Sequence, residues 1–369
     1  MHKQKIILIT NEYPPKRGGA GVYCEEIVYN SQKLGVPLHV WVPDYVKENQ
    51  KNLKKLPIKG SQGWLCSFRI FLELRKQKKT FNQSTILHFA EPGSLRALIR
   101  FSWVIKDLPN YIVTIHGSEM IRFTFNPLER ILFKKTLKNA KRIHVLSNYN
   151  KRKILKFCPE IENLIFLWPG APARNLKGNK ELKKVTSREK FNILCVARIH
   201  PRKGQDLVIR ALDALPNEMK KNVKCTFVGP IVKRNFFKSL IDQSMNCRFK
   251  IDFLGDLEDE KLRKIYQESD IFILPSVPRA KSVEGFGFVY LEASSNGIPV
   301  IAHQTGGVED AVVHNKTGFL IEPKNLTGLR DALVLLLSDQ VLREKLGKQG
   351  REWAEKHSWE KLTRKLYWN

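Results

Sequence analysis

The sequence has little that would mark a secreted, membrane-spanning or metal-bound protein. Its first apolar run, IILIT, is broken at Asn11 and Glu12, and no apolar stretch reaches the ~18 residues that a membrane span requires. Six cysteines lie far apart, at positions 24, 66, 158, 195, 225 and 247, without a CxxC pair. This spacing argues against a zinc site and against a disulfide framework. We therefore expect a protein of the reducing cytoplasm without an export signal.

Motifs that define several large enzyme classes are also missing. The chain has no Walker motif and no HExxH, GxSxG or DxD sequence, which argues against P-loop hydrolases, zinc proteases, α/β hydrolases and a DxD-bound metal. The acidic stretch DLEDE at 256–260 is interpreted as the cap of a helix that follows it. No zinc finger, RNA-recognition signature or basic zipper is present, so no nucleic-acid partner is expected.

Acidic residues are scarce relative to basic ones. The chain has 36 Asp and Glu against 64 Lys and Arg, a net charge of +28, which is far more than solubility needs. Residues 1–175 hold 30 basic and 12 acidic residues, a net charge of +18. Within them, segment 47–80 interleaves basic residues with Trp64, Phe68 and Phe71. That mixture is typical of a segment lying on anionic lipid head groups, and a solvated basic loop is the alternative.

The order of apolar runs predicts two α/β domains. Short β-branched runs alternate with helix-length amphipathic ones, which is βαβ rhythm, and 369 residues are enough for two domains. Segment 167–190 has Pro, Gly and charge but no apolar periodicity, so the boundary is expected near 175–190. We expect two Rossmann-like βαβ domains that face each other across a cleft holding the ligand. The predicted strands are KIILIT, LHVWV, TILHF, YIVTI, RIHVLS, FNILCVA, KCTFVG, KIDFLG, IFILPS and IPVIA.

Glycines after the first strand suggest a loop that approaches a phosphate. In NEYPPKRGGAGVYCEEI, Gly18, Gly19 and Gly21 open a helix, but Cys24 stands where the dinucleotide fingerprint has Gly or Ala. Asp44 lies near the expected acidic position of that fingerprint. The match is incomplete, and a flexible turn that needs positive φ remains an alternative.

Two further strand ends carry residues suited to chemistry. His116 in VTIHGSEM ends a predicted parallel strand, where it can hydrogen-bond a sugar hydroxyl or a reacting oxygen. In ARIHPRKGQD, Arg198, Arg202 and Lys203 precede Gly204. Fixed cations at a strand end neutralise a diphosphate and stabilise its departure. The alternatives are a satisfied loop histidine and ordinary surface basicity.

The stretch VEGFGFVYLEASSNGIPVIA places two acids around a loop, a helix and a strand. Glu284 is predicted in the loop that enters the helix, and Glu292 about one turn inside it. The helix start suits an anionic or hydroxyl-rich ligand because its first amides have no helical partners. The alternative is that Glu284 only caps the helix and that Glu292 is an ordinary solvated residue.

The stretch TGGVEDAV (305–312) contains a Thr305-Gly-Gly turn. It is either a third phosphate contact or a tight turn.

Taken in order, these stretches resemble a known family. They are similar to the retaining GT-B glycosyltransferases of the family-four type over nearly the whole chain, and closest in wording to phosphatidylinositol mannosyltransferases and lipopolysaccharide glycosyltransferases. The resemblance implies an N-terminal acceptor-side domain at 1–175, a donor domain at 190–352, and a helix at 353–369 crossing back to the first domain. The stretches are GG after the first strand, HGSE, VARIHPRKG, VEGFGFVYLEA, NGIPVIA, TGGVEDAV and SWEKLTRKLYW.

The resemblance also implies a role for each candidate residue. Glu292 would hold the ribose hydroxyls of the donor nucleotide, and Glu284 and His116 would lie at the transferred sugar. Arg198 and Lys203 would bind the diphosphate. The catalytic candidates are His116, Arg198, Lys203 and Glu284. The donor-binding candidates are Gly18, Gly19, Gly229, Phe286, Gly287, Phe288, Val289 and Glu292.

The implied activity is transfer of a hexose from a UDP- or GDP-linked donor to a hydroxyl of a membrane-associated acceptor. The configuration at the sugar would be retained, no metal or cofactor is expected, and the departing phosphate would take the acceptor's proton. A lipopolysaccharide, a lipid-linked glycan and a glycolipid all fit as acceptors, at the inner face of the plasma membrane. Two alternatives stay open: an oxidoreductase that uses NAD or modifies a sugar nucleotide through the glycine loop, and a non-enzymatic adaptor on the same scaffold.

Overall fold

A computed structural model describes residues 4–16, 18–47, 51–105, 107–178, 190–280 and 282–368. The chain divides into two compact units. The first consists of Met1–Gly170, Ala280–Gly285 and Ser358–Asn369, and the second of Ala171–Arg279 and Phe286–His357. Most of the predicted boundary, at 179–189, lies outside the described residues.

The first unit contains one sheet in which every strand pair is parallel. Its order is β3-β2-β1-β4-β5-β6-β7, so the chain runs outward from β1 and returns to β4 on the other side of β1. That reversal is the topological switch point, where α/β sheets bind ligands. The strands are β1 (Lys5–Ile9), β2 (Leu38–Pro43), β3 (Leu53–Leu56), β4 (Thr85–Phe89), β5 (Asn110–Ile115), β6 (Arg142–Val145) and β7 (Ile165–Leu167).

The helices of the first unit begin at residues suited to that position. Asn126 and Ser147 cap two of them by accepting backbone N–H groups, and Glu91 caps a third. Short 3₁₀ segments lie at Lys78–Thr80 and Pro159–Leu164. The helices are α1 (Gly19–Lys33), α2 (Trp64–Gln77), α3 (Pro92–Phe101), α4 (Glu119–Arg122), α5 (Pro127–Lys138) and α6 (Asn148–Phe157).

The second unit repeats the architecture with six parallel strands in the order β10-β9-β8-β11-β12-β13. Its switch point lies between β8 and β11. The strands are β8 (Phe191–Val196), β9 (Val223–Val228), β10 (Lys250–Phe253), β11 (Ile271–Leu274), β12 (Val300–His303) and β13 (Gly318–Ile321). The helices are α7 (Gln205–Asp213), α8 (Asn217–Lys221), α9 (Arg234–Met245), α10 (Asp259–Glu268), α11 (Phe288–Ser295), α12 (Val308–Ala311), α13 (Leu326–Ser338) and α14 (Gln340–Glu355).

The last helix, α15 (Trp359–Tyr367), belongs to the first unit and packs against α1. Ser358 caps it by accepting the N–H of Lys361 at 3.2 Å, and Lys33 of α1 pairs with Glu360 at 2.9 Å. No helix in the described part of the chain is long and apolar enough to cross a membrane. The predicted α/β class with two parallel-sheet domains is confirmed.

Candidate active site

A rigid cationic turn follows β8 in the second unit. Arg198 is exposed, and a 3₁₀ turn at Pro201–Lys203 ends at Gly204, whose φ is +69°. A Cβ on Gly204 would lie 2.3 Å from the Pro275 carbonyl oxygen, so only glycine fits. The buried Gln205 side chain donates to the Arg198 carbonyl at 3.0 Å. Arg198 and Lys203 therefore stand on a fixed backbone at the carboxyl end of β8, beside the switch point.

Gly229, which follows β9, packs closely against the start of this turn. Its φ is +140°, and a Cβ there would lie 2.2 Å from the Ala197 carbonyl oxygen. The N–H of Gly229 donates to the Gly255 carbonyl at 2.7 Å. The role visible for Gly229 is therefore close backbone packing beside Arg198.

The second acid, Glu292, lies on α11 just over one turn from its start at Phe288, as the sequence predicts. It is only 4% exposed and accepts a hydrogen bond from the Tyr266 hydroxyl at 2.9 Å. Burial, together with the neighbouring carboxylate of Glu292, raises the pKa of Tyr266 well above its usual value. Tyr266 is thus a fixed donor that positions Glu292, and sequence reasoning missed it.

At the start of α11, backbone groups rather than side chains are available to a ligand. Gly287 is the N-cap with φ +91°, and no side chain caps the first turn. Phe286 and Phe288 are buried, with ring centroids 5.7 Å apart, while Val289 is half-buried. The two phenylalanine rings therefore pack in the core, and a ligand would meet this segment through its main chain.

In the first unit, His116 is held at the end of β5 by three neighbours. Its backbone N–H and that of Gly117 donate to the buried carboxylate of Glu119, at 2.8 and 2.6 Å. Its ring lies edge-on to Tyr23, with centroids 5.2 Å apart. The imidazole Nε2–H donates to the Ala90 carbonyl at 2.9 Å, so in the neutral ring Nδ1 carries the lone pair.

Glu284 reaches the same place through its neighbour Gly285. A Cβ on Gly285 would lie 1.5 Å from the His116 carbonyl oxygen, so the two backbones touch. The Gly285 carbonyl accepts from the Ser147 hydroxyl at 2.7 Å and from the Asn150 side chain at 3.4 Å. The structure therefore brings the segment of Glu284 against the His116 loop within the first unit.

The glycine loop after β1 holds a carboxylate that the sequence analysis did not consider. Gly18 is the N-cap of α1, and a Cβ there would lie 2.2 Å from Glu12 Oε1. The N–H of Gly21 points to the same oxygen at 3.4 Å. Glu12 thus occupies the amino end of α1, where the loop was expected to receive a phosphate; Gly19 is exposed beside it.

The turn after β12 is tight and short. Thr305 is buried, Gly306 has φ +61°, and Gly307 precedes a helix of four residues, α12. The Thr305 carbonyl accepts the N–H of Val308 at 3.2 Å. The stretch is therefore a tight turn, and its contact with a phosphate stays a prediction.

Together these features define a parallel-sheet α/β protein of two units, with candidate residues at the carboxyl ends of its strands. Two family models match the chain: Glycosyltransferase Family 4 over residues 17–196 and Glycosyl transferases group 1 over residues 178–353. The two models follow one another along nearly the whole chain. The protein therefore belongs to the group 1, family 4 glycosyltransferases.

Two of the relatives cover nearly the whole chain, and a third covers about half of it. A GDP-mannose-dependent alpha-(1-6)-phosphatidylinositol monomannoside mannosyltransferase of Mycobacterium tuberculosis is 25% identical, over 98% of this chain and 97% of the relative. An uncharacterized glycosyltransferase of Methanocaldococcus jannaschii is 27% identical, over 98% and 97%. The sulfoquinovosyl transferase SQD2 of Arabidopsis thaliana is 32% identical over 48% of this chain and 32% of the relative.

Solved structures share the fold at low identity. HepE of Anabaena, in complex with UDP and glucose, has a TM-score of 0.76 at 17% identity, covering 98% of both chains. WaaG, a glycosyltransferase involved in lipopolysaccharide biosynthesis, has a TM-score of 0.75 at 17% identity and the same coverage. Sucrose-phosphate synthase of Thermosynechococcus elongatus reaches 0.79 at 20% identity, covering 98% and 97%. These similarities confirm the predicted GT-B class.

Proposed function

We propose that the protein transfers a hexose from a UDP- or GDP-linked donor to a hydroxyl of a membrane-associated lipid or glycolipid, with retention of configuration and without a metal. The observation that carries the proposal is the turn bearing Arg198 and Lys203 at the switch point of the second sheet, in a chain of this family. Relatives are named for GDP-mannose and for phosphatidylinositol mannosides, and a structural neighbour holds UDP and glucose.

In this proposal the second unit binds the donor nucleotide. Arg198 and Lys203 pair with the diphosphate, since cations stabilise the charge that grows on a leaving phosphate. Glu292, held by Tyr266, accepts from the ribose hydroxyls. The main chain of Phe286 and Gly287 adds amide donors toward the phosphate and sugar, as uncapped helix starts do.

The transferred sugar is assigned to His116 and Glu284. The contact of Gly285 with the His116 carbonyl supports this pairing, because it fixes the two segments to each other. The acceptor oxygen attacks the anomeric carbon on the face that the diphosphate leaves. One carbon–oxygen bond forms, the bond to phosphate breaks, and the acceptor's proton passes to the departing phosphate. Catalysis then rests on positioning and on electrostatic stabilisation.

The oxidoreductase alternative is less well supported. It needs a pyrophosphate at the start of α1, where the carboxylate of Glu12 now lies and would repel it. It also leaves Arg198, Lys203 and the Glu292–Tyr266 pair without a role. For Gly18 and Gly19 to contact the donor diphosphate, Glu12 must move away from that helix end.

The first prediction concerns the residues assigned to the donor diphosphate and to the transferred sugar. Lys203→Ala removes a cation from the diphosphate, and Glu284→Ala removes the carboxylate at the sugar. Each change is expected to lower transfer by about 100-fold or more. The measurement is recovery of labelled hexose in lipid after incubation of a lipid extract with GDP-mannose or UDP-glucose.

Matched controls separate chemistry from folding. Lys345→Ala and Glu352→Ala change exposed residues of α14 and are expected to leave transfer unchanged. All four variants should show the thermal unfolding of the wild type within a few degrees. Wild-type turnover in Lys203→Ala or Glu284→Ala would refute the assigned roles.

We further propose that the protein works in the cytoplasm, bound peripherally to the inner face of the plasma membrane through the start of α2 and the chain after α3. Trp64 and Trp103 are 60% and 64% exposed, and Leu65 is 55% exposed. The ring centroids of Trp64 and of Phe101, at the end of α3, lie 6.2 Å apart. The exposed side chains of α2 and of the chain after α3 therefore lie in one region.

One predicted lipid contact in segment 47–80 is wrong. Phe71 is only 6% exposed and its ring stacks on that of Phe101 with centroids 4.8 Å apart, because it lies on the face of α2 that packs in the core of the unit. Phe68 is half-buried, so Trp64 is the one exposed residue of the three predicted aromatic residues. Residues 48–50 of the segment lie outside the described residues.

A second prediction tests this surface. The double change Trp64→Ser and Trp103→Ser removes the apolar contacts, and Arg75→Ser with Lys76→Ser removes two exposed charges of α2. Each pair is expected to weaken binding to vesicles containing phosphatidylglycerol, and wild-type binding should fall as salt rises. Co-sedimentation measures both effects. Equal binding to phosphatidylcholine vesicles would contradict an anionic docking surface.

A further inference from the structure

Tyr23, on α1, is fully buried and packs against several aromatic rings of the first unit. Its ring is nearly perpendicular to that of His116, with ring centroids 5.2 Å apart. It also stacks on the His144 ring, with centroids 5.6 Å apart, and meets the Trp359 ring of α15 at 5.9 Å. Tyr23 therefore contacts both the histidine assigned to the transferred sugar and the last helix of the chain.

Two hydrogen bonds hold the Tyr23 ring in this position. His144 Nε2–H donates to the Trp168 carbonyl at 2.9 Å, so in the neutral ring His144 Nδ1 carries the lone pair. The Tyr23 hydroxyl donates to that nitrogen at 2.9 Å and accepts from the Thr114 hydroxyl at 3.1 Å. Because a buried hydroxyl without partners is costly, these bonds oppose any displacement of the ring.

Both ends of α15 support Tyr23. At its start, the buried Trp359 packs directly against the Tyr23 ring. At its end, the buried Tyr367 hydroxyl donates to His88 Nδ1 at 2.6 Å, and His88 Nε2–H donates to the Thr114 hydroxyl at 2.8 Å. We call Tyr23, Thr114, His88 and Tyr367 the Tyr23 network.

Two contacts restrain the half-buried side chain of His116. Its Nε2–H donates to the Ala90 carbonyl at 2.9 Å, which fixes one atom of the ring. The perpendicular packing on Tyr23 fixes the plane of the ring, because tilting it would break an arrangement that aromatic pairs favour. With both contacts in place, the lone pair on His116 Nδ1 points in one direction.

We propose that Tyr23 is a positioning residue for His116 and that α15 holds Tyr23 in place through Trp359 and the Tyr23 network. The inference rests on the proposed function, in which His116 touches the transferred sugar. Since transfer depends on the geometry of the bound groups, an imidazole that turns no longer meets a sugar hydroxyl productively. The last helix thus serves the sugar site without contacting the substrate.

The first test compares the loss of two buried tyrosine hydroxyls. Tyr367→Phe breaks the Tyr23 network at α15. The matched control, Tyr111→Phe, removes a hydroxyl on β5 that donates to the Thr136 carbonyl at 2.8 Å, outside the network. Both changes should lower stability to a similar extent. Only Tyr367→Phe should lower kcat for transfer, by about tenfold, with KM for the donor within about twofold of the wild type.

A double-mutant cycle separates positioning from folding. Tyr23→Leu removes the aromatic contact and should lower kcat by about 100-fold in the wild-type background. In a His116→Ala background the same change should lower kcat by less than about twofold, because no imidazole is left to position. A tyrosine that only stabilises the fold would lower kcat by the same factor in both backgrounds. If Tyr23→Leu does not fold, Tyr23→Phe, which keeps the ring, takes its place in the cycle with a smaller expected effect.

A second readout follows the His116 ring by NMR and does not depend on transfer. The ring current of Tyr23 shifts the proton signals of an imidazole 5.2 Å away, and these signals are assigned by their absence in His116→Ala. Tyr23→Leu and Tyr367→Phe should move the His116 signals. Tyr111→Phe should leave them unchanged.

Two outcomes would overturn the proposal. One is an equal loss of kcat from the Tyr23 change with and without the His116 imidazole, and the other is unmoved His116 signals in Tyr367→Phe. Both would leave the proposed function intact. Failure of the proposed function is seen separately, as wild-type transfer by His116→Ala, and in that case the NMR signals alone decide whether Tyr23 and α15 hold the His116 ring.

Discussion

The position of Glu284 depends on Gly285. The backbone of Gly285 lies so close to the His116 carbonyl that a Cβ would sit 1.5 Å from the oxygen, and Ser147 holds the Gly285 carbonyl from the other side. A larger residue must push the strand end and the acid apart. Since catalysis here is mostly positioning, a shift of about 1 Å is enough to lower turnover strongly.

Gly285→Ala is therefore expected to destabilise the protein by about 1–3 kcal/mol and to lower transfer by about 100-fold. Denaturant unfolding and the transfer assay measure the two effects. Gly63→Ala serves as the control, because a Cβ there meets only the Ser61 hydroxyl, at 3.2 Å. A Gly285→Ala protein with wild-type stability and turnover would show that the contact with His116 does not position Glu284.

The sequence was sufficient to place both acids relative to α11. Glu284 was expected in the loop before the helix and Glu292 one turn inside, because composition and Gly297 mark the ends of that helix. The partners Glu12 and Tyr266 were missed. Tyr266 is 26 residues from Glu292, and its contact depends on how α10 packs, which local periodicity does not report.

At the level of elements, ten predicted strands are found, while β3, β7 and β13 were not predicted. All three lie at sheet edges. The strands β7 (IFL) and β13 (GFLI) are apolar but only three and four residues long, too short to stand out as buried runs. The strand β3 was missed for another reason, since the two lysines of its sequence LKKL break the apolar pattern.

A buried hydrogen-bond chain joins α15 to three strands of the first sheet. The Tyr367 hydroxyl donates to His88 Nδ1 at 2.6 Å, and His88 Nε2–H donates to Thr114 at 2.8 Å. Thr114 lies 3.1 Å from the Tyr23 hydroxyl, which donates to His144 Nδ1 at 2.9 Å. Every member is satisfied when both imidazoles are neutral, and Tyr23 also contacts the His116 ring.

The chain ends where His144 Nε2–H donates to the Trp168 carbonyl at 2.9 Å. Burial lowers the pKa of His144 to about 3 and that of His88 well below its usual value. The unfolded protein therefore binds more protons than the folded one below pH ~6.5. Stability that these two residues provide above that pH is lost as the pH falls.

Glu91 changes the pH dependence of stability in the opposite direction. Burial raises its pKa to about 7, although three backbone N–H groups partly offset the effect. Between its unfolded pKa near ~4.3 and 7, the folded state holds the extra proton, so stability from this group falls as the pH rises. The two kinds of residue can therefore be separated by the sign of their pH dependence.

Between pH ~5 and ~6.5, His144→Gln should lower the slope of unfolding free energy against pH by about 1.4 kcal/mol per unit, and Glu91→Gln should raise it by a similar amount. Denaturant unfolding at four pH values gives both slopes. Parallel slopes in the wild type and both buried-site variants would contradict the assigned protonation states.

At the level of the whole molecule, family membership and two parallel-sheet units were predictable because ordered motifs span nearly the entire chain. The division of the chain into its two units was less predictable. Segment 280–285 belongs to the first unit although both flanking segments belong to the second. The packing of Gly285 on His116 and the hydrogen bond from Ser147 to the Gly285 carbonyl show this, and neither is visible in the sequence. The net charge of +28 predicts attraction to an anionic surface, but not which face of the first unit provides it.

The measurement that tests the central claim most directly is thermal unfolding with UDP, GDP or NAD. A ligand that binds only the folded protein adds about 2.7 kcal/mol of stability at ~100 times its dissociation constant. We expect stabilisation by UDP or GDP, lost in Lys203→Ala and kept in Lys345→Ala. Stabilisation by NAD alone, or by UDP and GDP equally in wild type and Lys203→Ala, would contradict a donor site at the cationic turn.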